Sequence, residues 1–414
     1  MNDKAFQTAA SDTNVQTAAA APAAPKRRTF GELLTSDLRA LPVVVGLVAL
    51  WVFFTFQSDV FLSARNISNL LLQSTVVGIM ALGIMFVLLV REIDLSIAAI
   101  NGITAVLMAK LIVEFGFSPW IAIPLSIVFG VLIGMSSARW VTFVGVPSFV
   151  VTLGLGLALN GVQLLLLPNT ARYGLMNTGV EKIAQTKIAG GSAWMVFAVF
   201  LAIGASLILS SAQRRRVNGL YVPIMSSVVL PLVGSALFGA IVVAVMNSHQ
   251  GIPLPTLIFA VLLMIGGYML KETTFGLSLY AIGNNDEAAR RAGIKVAAVK
   301  MAAFGIAGGI AALAGTIAAS RTLGVGVFSG GGVGGGTLLL ESIAAAVIGG
   351  VSLFGGRGAI YSALLGCLVI GTVQNGLNLM GVENEIRLIV TGFLLVLAVS
   401  IDKIIEKATG QQAF

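Results

Sequence analysis

Charged residues are scarce in this sequence of 414 residues, because Asp, Glu, Lys and Arg together make up only 10% of it. A soluble domain averages about 25% charged residues, since its surface must face water. Hydrophobic residues account for 57%, and the mean hydropathy is +0.98. Most of the protein surface must therefore face lipid, which excludes a chain of soluble domains and predicts a multi-pass membrane protein.

Cysteine and histidine are nearly absent, since Cys367 and His249 are the single residues of their kinds. This excludes an internal disulfide, a cysteine-based zinc or iron–sulfur site and a histidine-rich metal centre. The sequence also lacks the phosphate-binding pattern GxxxxGK[ST], because no Lys-Ser or Lys-Thr follows the eight glycines of residues 324–336. We therefore expect no catalytic site and no cofactor bound by this chain. The glycine tract itself is either a flexible outer loop with close helix packing or a gate.

Apolar runs long enough to span a bilayer, about 20 residues each, recur along the chain. They lie at 41–57, 70–90, 95–113, 120–138, 141–167, 192–212, 221–246, 254–270, 300–319, 337–354, 358–379 and 386–402. The predicted fold is an all-α transmembrane helical bundle of about 12 spans, or 10 to 12 if some are broken or half-helices. Val146-Pro147-Ser148 suggests a half-helix before a full one in the 141–167 run, and the 337–354 run is short.

Basic residues favour one side of the membrane when the spans alternate from a cytoplasmic N-terminus. Of the 25 Lys and Arg residues, 18 then lie inside and 7 outside. This bias follows the positive-inside rule, so the net charge of +8 reflects orientation rather than nucleic-acid binding. Both termini are expected in the cytoplasm, with a disordered tail over 1–39, a membrane domain over 40–404 and a short tail over 405–414.

The cytoplasmic loop 271–299 contains the pattern of a short capped helix. Asn285 or Asp286 can cap its start, Glu287 suits its first turn, and Gly293 suits its end. Such a helix between two spans is more than a connection requires.

Two further polar features interrupt the apolar runs. Arg91, Glu92 and Asp94 form a charge cluster at the inner boundary, where an ion pair of Arg91 with Glu92 or Asp94 is expected and Asp94 can cap the next helix. Amides lie inside the spans at Asn101, Asn160, Gln374, Asn375 and Asn378. These amides either join helices or line a path for a neutral polar solute such as a sugar. No Asp/Glu/His chain for a proton relay accompanies them.

Four segments carry a family resemblance. They are Gly283-Asn284-Asn285-x-x-Ala288-Ala289-x-x-x-Gly293-Ile294, Glu92-Ile93-Asp94-Leu95-Ser96, the run from Ala344 to Gly358, and the run from Phe61 to Leu70. Together they resemble the permease subunits of ATP-binding-cassette importers for ribose, xylose, arabinose and galactose. The first segment is similar to the coupling loop of that family, which implies that Gly283, Asn284, Asn285, Glu287, Ala288, Ala289, Gly293 and Ile294 contact an ATPase.

The resemblance implies a complete importer in the bacterial inner membrane. A second copy of the permease would enclose the path, a cytoplasmic ATPase would bind ATP and Mg²⁺, and a periplasmic binding protein would deliver the sugar. An additional hairpin over 214–270 is similar to the longer xylose-type permeases and favours a pentose. The alternatives are a permease of the same superfamily for a nucleoside or a branched-chain amino acid, and an ion-coupled secondary carrier.

Overall fold

The structure is a computed structural model that describes residues 41–219, 221–331 and 337–408. The predicted tail 1–39, residues 332–336 of the glycine tract and residues 409–414 lie outside this part of the chain. Residues 405–408, which the sequence predicts to be part of the C-terminal tail, continue the last helix. The helices, in chain order, are α1 (Leu41–Gln57), α2 (Ala64–Leu89), α3 (Ile97–Val113), α4 (Pro119–Arg139), α5 (Ser148–Leu166), α6 (Lys182–Gln185), α7 (Gly191–Val217), α8 (Leu230–Asn247), α9 (Leu254–Glu272), α10 (Thr274–Asn284), α11 (Asp286–Arg291), α12 (Val296–Thr322), α13 (Thr337–Ile348), α14 (Ile360–Leu379) and α15 (Asn384–Ala408).

Eight helices of the described residues are long and apolar enough to cross a membrane, namely α2, α4, α5, α7, α8, α9, α12 and α14. Shorter apolar helices, α1, α3 and α13, accompany them. The predicted all-α membrane bundle is confirmed. The only strands in the described part are two short antiparallel pairs: β1 (Arg172–Gly174) with β4 (Gly324–Gly326), and β2 (Lys187–Ile188) with β3 (Ile252–Pro253).

The core of the bundle surrounds α2. In the most hydrophobic stretch of 18 residues in this helix, 83% of the residues are buried. Helices α12, α14, α13 and α9 pack around it, and α12 also packs on α3 and α4. Asn66 on α2 and Asn375 on α14 exchange two side-chain hydrogen bonds, of 2.9 and 3.0 Å. Buried amides that satisfy each other in this way hold two helices together without a charge.

Small residues bring α4 and α12 into backbone contact. A Cβ on Gly134 would lie 2.1 Å from the carbonyl oxygen of Phe304, and one on Gly308 would lie 2.1 Å from that of Gly130. Helices in lipid associate through such close packing, since the surrounding acyl chains are as apolar as the side chains.

The 27 residues of α12 span about 40 Å and define two ends of the bundle. The Val296 end carries α10 and α11. At the Thr322 end, β4 pairs with β1, and the Ser320 hydroxyl accepts the Ala184 N–H at 2.9 Å. The two long polar loops, 168–191 and 271–299, therefore lie at opposite ends of the bundle.

Two predicted span boundaries are wrong. Residues Trp140–Val144 form a π-helical continuation of α4 rather than a half-helix, and the chain turns at Gly145, whose φ is +80°, before α5 begins at Ser148. The span predicted over 337–354 ends at Ile348, because Gly349 and Gly350 stop the helix and Gly350 has a φ of +105°.

The two spans of the additional hairpin have different surroundings. Helix α8 packs on α7 at the periphery, with little of either buried. Helix α9 packs on α2 and α14, and Phe259 is only 4% exposed. The second half of the hairpin is thus part of the core.

Candidate functional site

The short cytoplasmic helix predicted in loop 271–299 is α11. The Asn285 side chain caps it, since Oδ1 accepts the Ala288 N–H at 2.9 Å. Glu287 lies in the first turn and Arg291 in the last, where each charge opposes the helix dipole. Gly293 follows with a φ of +85°, a conformation that favours glycine. Local sequence therefore determines this helix.

A second helix, which the sequence analysis missed, precedes it. Helix α10 begins directly after α9, and the Thr273 hydroxyl caps it by accepting the Gly276 N–H at 3.2 Å. The Asn284 amide donates to the Tyr280 carbonyl at 2.8 Å. Thr273 and its spacing to Gly276 are the signal that could have revealed α10.

Two of the four resembling segments, 283–294 and 344–358, meet the end of α2 where α10 turns into α11. A Cβ on Gly283 would lie 1.9 Å from the Leu89 carbonyl oxygen, so only glycine fits there. That oxygen accepts the Gly356 N–H at 3.1 Å, and a Cβ on Gly356 would meet the Asn284 side chain at 2.7 Å. The corner between the two helices is therefore seated on the end of α2 and on the turn at 355–356.

An ion-pair network connects α11 to the charge cluster, but not as predicted. Lys300 on α12 lies 2.7 Å from Glu92 and 3.5 Å from Asp286, and the Glu92 and Lys300 side chains are only 14% and 13% exposed. None of the ion pairs among the described residues involves Arg91, whose φ of +62° places it against Gly355 instead. The prediction of an ion pair between Arg91 and Glu92 or Asp94 is wrong, because the Arg91 side chain lies against Gly355.

Asp94 acts within its own segment. Its Oδ1 accepts the Ser96 N–H at 2.8 Å and the Ser96 hydroxyl at 2.6 Å. The N-cap of α3 is Ser96 rather than the predicted Asp94, and the Ser96 side chain makes no capping hydrogen bond. Its Oδ2 is buried and has no hydrogen-bond partner. Burial raises the pKa of the Asp94 carboxyl above its ordinary value, since the charged form loses its hydration.

We expect the Glu92–Lys300 pair to hold α11 in place energetically. Lys300→Met and Glu92→Gln should each lower the free energy of unfolding by roughly 1–3 kcal/mol. The first leaves Glu92 unpaired, and the second leaves Lys300 with only the more distant Asp286. The double variant should cost less than the sum, with a coupling energy of about 1 kcal/mol or more. Thermal unfolding of the four proteins in detergent measures this cycle, and strictly additive losses would contradict it.

The exposed face of α11 is left free by this packing. Ala288, Glu287, Arg290 and Arg291 are exposed, whereas Ala289 is 4% exposed and packs into the core with Ile294 beside it. The predicted coupling residues therefore divide into two groups. Glu287 and Ala288 face outward, and the other six position the helix, namely Gly283, Asn284, Asn285, Ala289, Gly293 and Ile294.

The five predicted path amides do not converge on one surface. Asn375 is paired with Asn66 inside the core. Gln374 lies beside Glu341 on α13, and Asn378 is exposed and accepts from the Arg387 guanidinium at 3.3 Å.

The remaining two amides lie on α3 and α5. Asn101 is 1% exposed and donates to the Ala311 carbonyl at 3.0 Å. Asn160 is half-buried, and its Oδ1 is shielded and has no hydrogen-bond partner. These two amides are candidates that the core does not fully satisfy.

A cleft of about 520 Å³ opens at the Thr322 end, next to Asn101. Its lining comprises Asn101 and Ala105 of α3, Ala171 and Arg172, Gly315, Ala318, Ala319 and Thr322 of α12, Gly324, Gly326, Val327, Phe328, Ser329 and Gly330 of the glycine tract, and Leu338. The described part of the glycine tract thus forms one wall of a cavity at the end opposite α11.

Gln163 on α5, which was not among the predicted site residues, holds that wall. Its amide nitrogen donates to the carbonyls of Gly326 and Ser329 at 3.2 and 3.1 Å, and its Oε1 is buried without a partner. A Cβ on Gly330 would lie 2.2 Å from the Gly102 nitrogen, so the tract rests directly on α3. The spacing of Gln163, three residues after Asn160 on one helix, is the sequence signal for it.

Known proteins place these features in a family. The family model described as "Branched-chain amino acid transport system / permease component" matches residues 66–399. The chain is 34% identical to the xylose transport system permease protein XylH of Escherichia coli K12 over 75% of this chain and 79% of the relative. It is 34% identical to XylH of Haemophilus influenzae, over 72% and 80%.

Permeases with other names are also similar. The ribose import permease protein RbsC of Haemophilus influenzae is 27% identical over 67% of this chain and 68% of the relative. The fructose import permease protein FrcC of Rhizobium meliloti is 29% identical over 68% and 63%. No solved structure matches the chain. With its bundle of apolar helices, the chain therefore belongs to this family of permease components as a multi-pass inner-membrane transport subunit.

Proposed function

We propose that this chain is the permease subunit of an ATP-binding-cassette importer for a monosaccharide, a pentose such as xylose. The names of the relatives support the sugar, since the xylose permeases match at 34% identity over about three quarters of the chain. The structural observation that carries the importer mechanism is α11, a capped helix whose outer face is exposed, whose Ala289 is buried in the core and whose Asp286 pairs with Lys300 of α12.

This geometry is suited to transmitting a conformational change from α11 to the rest of the bundle. A force on Ala288 or Glu287 passes through the Asp286–Lys300–Glu92 ion pairs into α12 and the end of α2. Helix α12 then reaches the cleft at the other end through Gly315 and Thr322. ATP binding to a partner ATPase would push α11, and the rigid helices would transmit this movement and change the shape of the cleft. Such a coupled change is an alternating-access mechanism.

The proposed importer contains further subunits. A second copy of this chain completes the path, a cytoplasmic ATPase binds ATP and Mg²⁺ and docks on α11, and a periplasmic binding protein delivers the sugar to the Thr322 end. ATP hydrolysis belongs to the ATPase, so this chain contributes no catalytic residue.

For the path we propose the cleft lined by Asn101, together with the half-buried amide of Asn160 on α5. A sugar that leaves water needs such partners for its hydroxyls, since an unpaired buried polar group costs roughly 1–3 kcal/mol. The contacts of Gln374, Asn375 and Asn378 with other helices support a role in joining helices for these three.

For the orientation we propose that the Val296 end and both termini are cytoplasmic. The charge bias and the location of the two long loops at opposite ends support this. With Cys367 replaced, a single cysteine at position 182 should react with a membrane-impermeant thiol reagent in spheroplasts, and one at position 295 should not. Labelling at position 295 and not at position 182 would mean that the Val296 end is periplasmic.

Uptake in a strain that lacks its own pentose permeases tests the function. Labelled xylose should enter only when this chain, its ATPase and its binding protein are all expressed, and a protonophore should not stop uptake while ATP is maintained. Ribose, a nucleoside and leucine serve as competing solutes. Uptake of leucine or the nucleoside without xylose would identify another substrate, and uptake without the ATPase would identify an ion-coupled carrier.

A further inference from the structure

A basic groove lies at the C-terminus of α7, away from α11. Arg214, Arg215 and Arg216 occupy the last turn of this helix. An open groove of about 330 Å³ adjoins them, and its lining comprises Ser210, Gln213, Arg214, Val217 and Asn218. Because Arg214 lies 3.5 Å from Glu272 at the end of α9, the groove is at the Val296 end.

Little of the positive charge in this turn is neutralised. Arg214 is 66% exposed, and its single carboxylate partner, Glu272, is at the edge of ion-pair distance. No ion pair among the described residues involves Arg215 or Arg216. The helix dipole offsets only about half a charge at this terminus. The last turn of α7, of which Arg214 lines the groove, therefore has a net positive charge available to an external anion.

The surroundings of the groove are apolar rather than aqueous. Only 6% of the most hydrophobic 18-residue stretch of α7 and 11% of that of the span ending in α8 are buried, so the apolar surface of both helices is exposed. Val217, Tyr221 and Met225, just after the arginines, are 79%, 85% and 70% exposed. An exposed tyrosine beside arginines is typical of the headgroup layer of a bilayer.

We propose that this groove binds the phosphate headgroup of an anionic phospholipid, whose acyl chains lie along the exposed faces of α7 and α8. Guanidinium groups form paired hydrogen bonds with phosphate oxygens, and basic pockets at the cytoplasmic ends of spans suit anionic headgroups. The apolar rim distinguishes this ligand from free phosphate, which would gain nothing from Val217 or Met225.

Native mass spectrometry of the full-length permease, released from detergent with added lipid, tests the proposal. Cardiolipin and phosphatidylglycerol should remain bound, whereas phosphatidylcholine should not. The variant Arg214→Gln/Arg215→Gln/Arg216→Gln should lose about tenfold or more in cardiolipin affinity, since each arginine near an anionic surface contributes on the order of 1 kcal/mol. Gel filtration confirms that this variant is folded.

Two single substitutions test whether the lipid binds in the groove or is attracted only by the overall positive charge of the Val296 end. Arg214→Gln, which removes the arginine that lines the groove, should weaken cardiolipin binding, and Arg139→Gln, at the C-terminus of α4, should not. Equal effects of the two would overturn the proposal. It would also be overturned if 10 mM inorganic phosphate displaced the lipid completely, or if the triple variant kept its lipid and instead lost copurification with the ATPase.

Discussion

Replacing Ala288 with tryptophan is expected to abolish transport while leaving the permease folded. Ala288 is exposed on α11, so the indole meets no part of this chain and adds bulk only to the face proposed to dock on the ATPase. If docking requires a close fit, substrate-stimulated ATP hydrolysis and sugar uptake should both fall to background. Both are measured with the complete importer in liposomes, and insertion is followed by size-exclusion chromatography of the detergent-solubilised variant.

The control for this prediction is Ala288→Ser at the same position. Serine changes polarity with little change in size. A closely packed interface should therefore tolerate it, and uptake should fall by less than about twofold. An ordinary exposed helix would tolerate tryptophan as well, since surface substitutions usually change stability by about 0.5 kcal/mol or less. Normal uptake by the tryptophan variant would show that α11 does not couple this chain to ATP hydrolysis.

The variant Gly134→Leu is expected to prevent assembly of the bundle. A Cβ at this position would lie 2.1 Å from the Phe304 carbonyl oxygen, and backbone cannot yield as a flexible side chain can. Separation of α4 from α12 would also open the contact of Gly130 with Gly308. We expect a loss well above the 1–3 kcal/mol that is typical of overpacking, and hence no monodisperse protein after extraction.

Gly154→Leu provides the matched control for this change. Gly154 lies on an exposed face of α5, where a Cβ would have nothing within 4 Å. The same glycine-to-leucine change should therefore leave yield and thermal stability nearly unchanged. Equal yields of the two variants would mean that the α4–α12 contact is not needed for assembly.

The amino-acid sequence by itself specified the features that depend on local interactions. The apolar runs located the spans, because burying backbone in lipid requires continuous helix over about 20 residues. Asn285 and Gly293 specified both ends of α11, since a cap and a left-handed glycine act within one turn of the chain. Here the prediction and the structure agree.

Features decided by distant residues could be recognised only in the tertiary structure. Glu92 pairs with Lys300 rather than Arg91, across 208 residues, and Asn66 pairs with Asn375 across 309. A buried amide looks the same in sequence whether it joins two helices, as Asn375 does, or lines a cleft, as Asn101 does. Which role it takes depends on the group that lies within about 3 Å, and that is determined by helix packing.

Packing also decided which helices belong to the core. Helices α8 and α9 are both apolar runs of similar length, but α9 is seated on α2 and α14 while α8 faces lipid. Hydrophobicity cannot distinguish these locations, because a leucine side chain meets an equally apolar environment in lipid and in a protein core. Sequence therefore determined what enters the membrane, and the close contacts of glycines and amides determined how the entering helices are arranged.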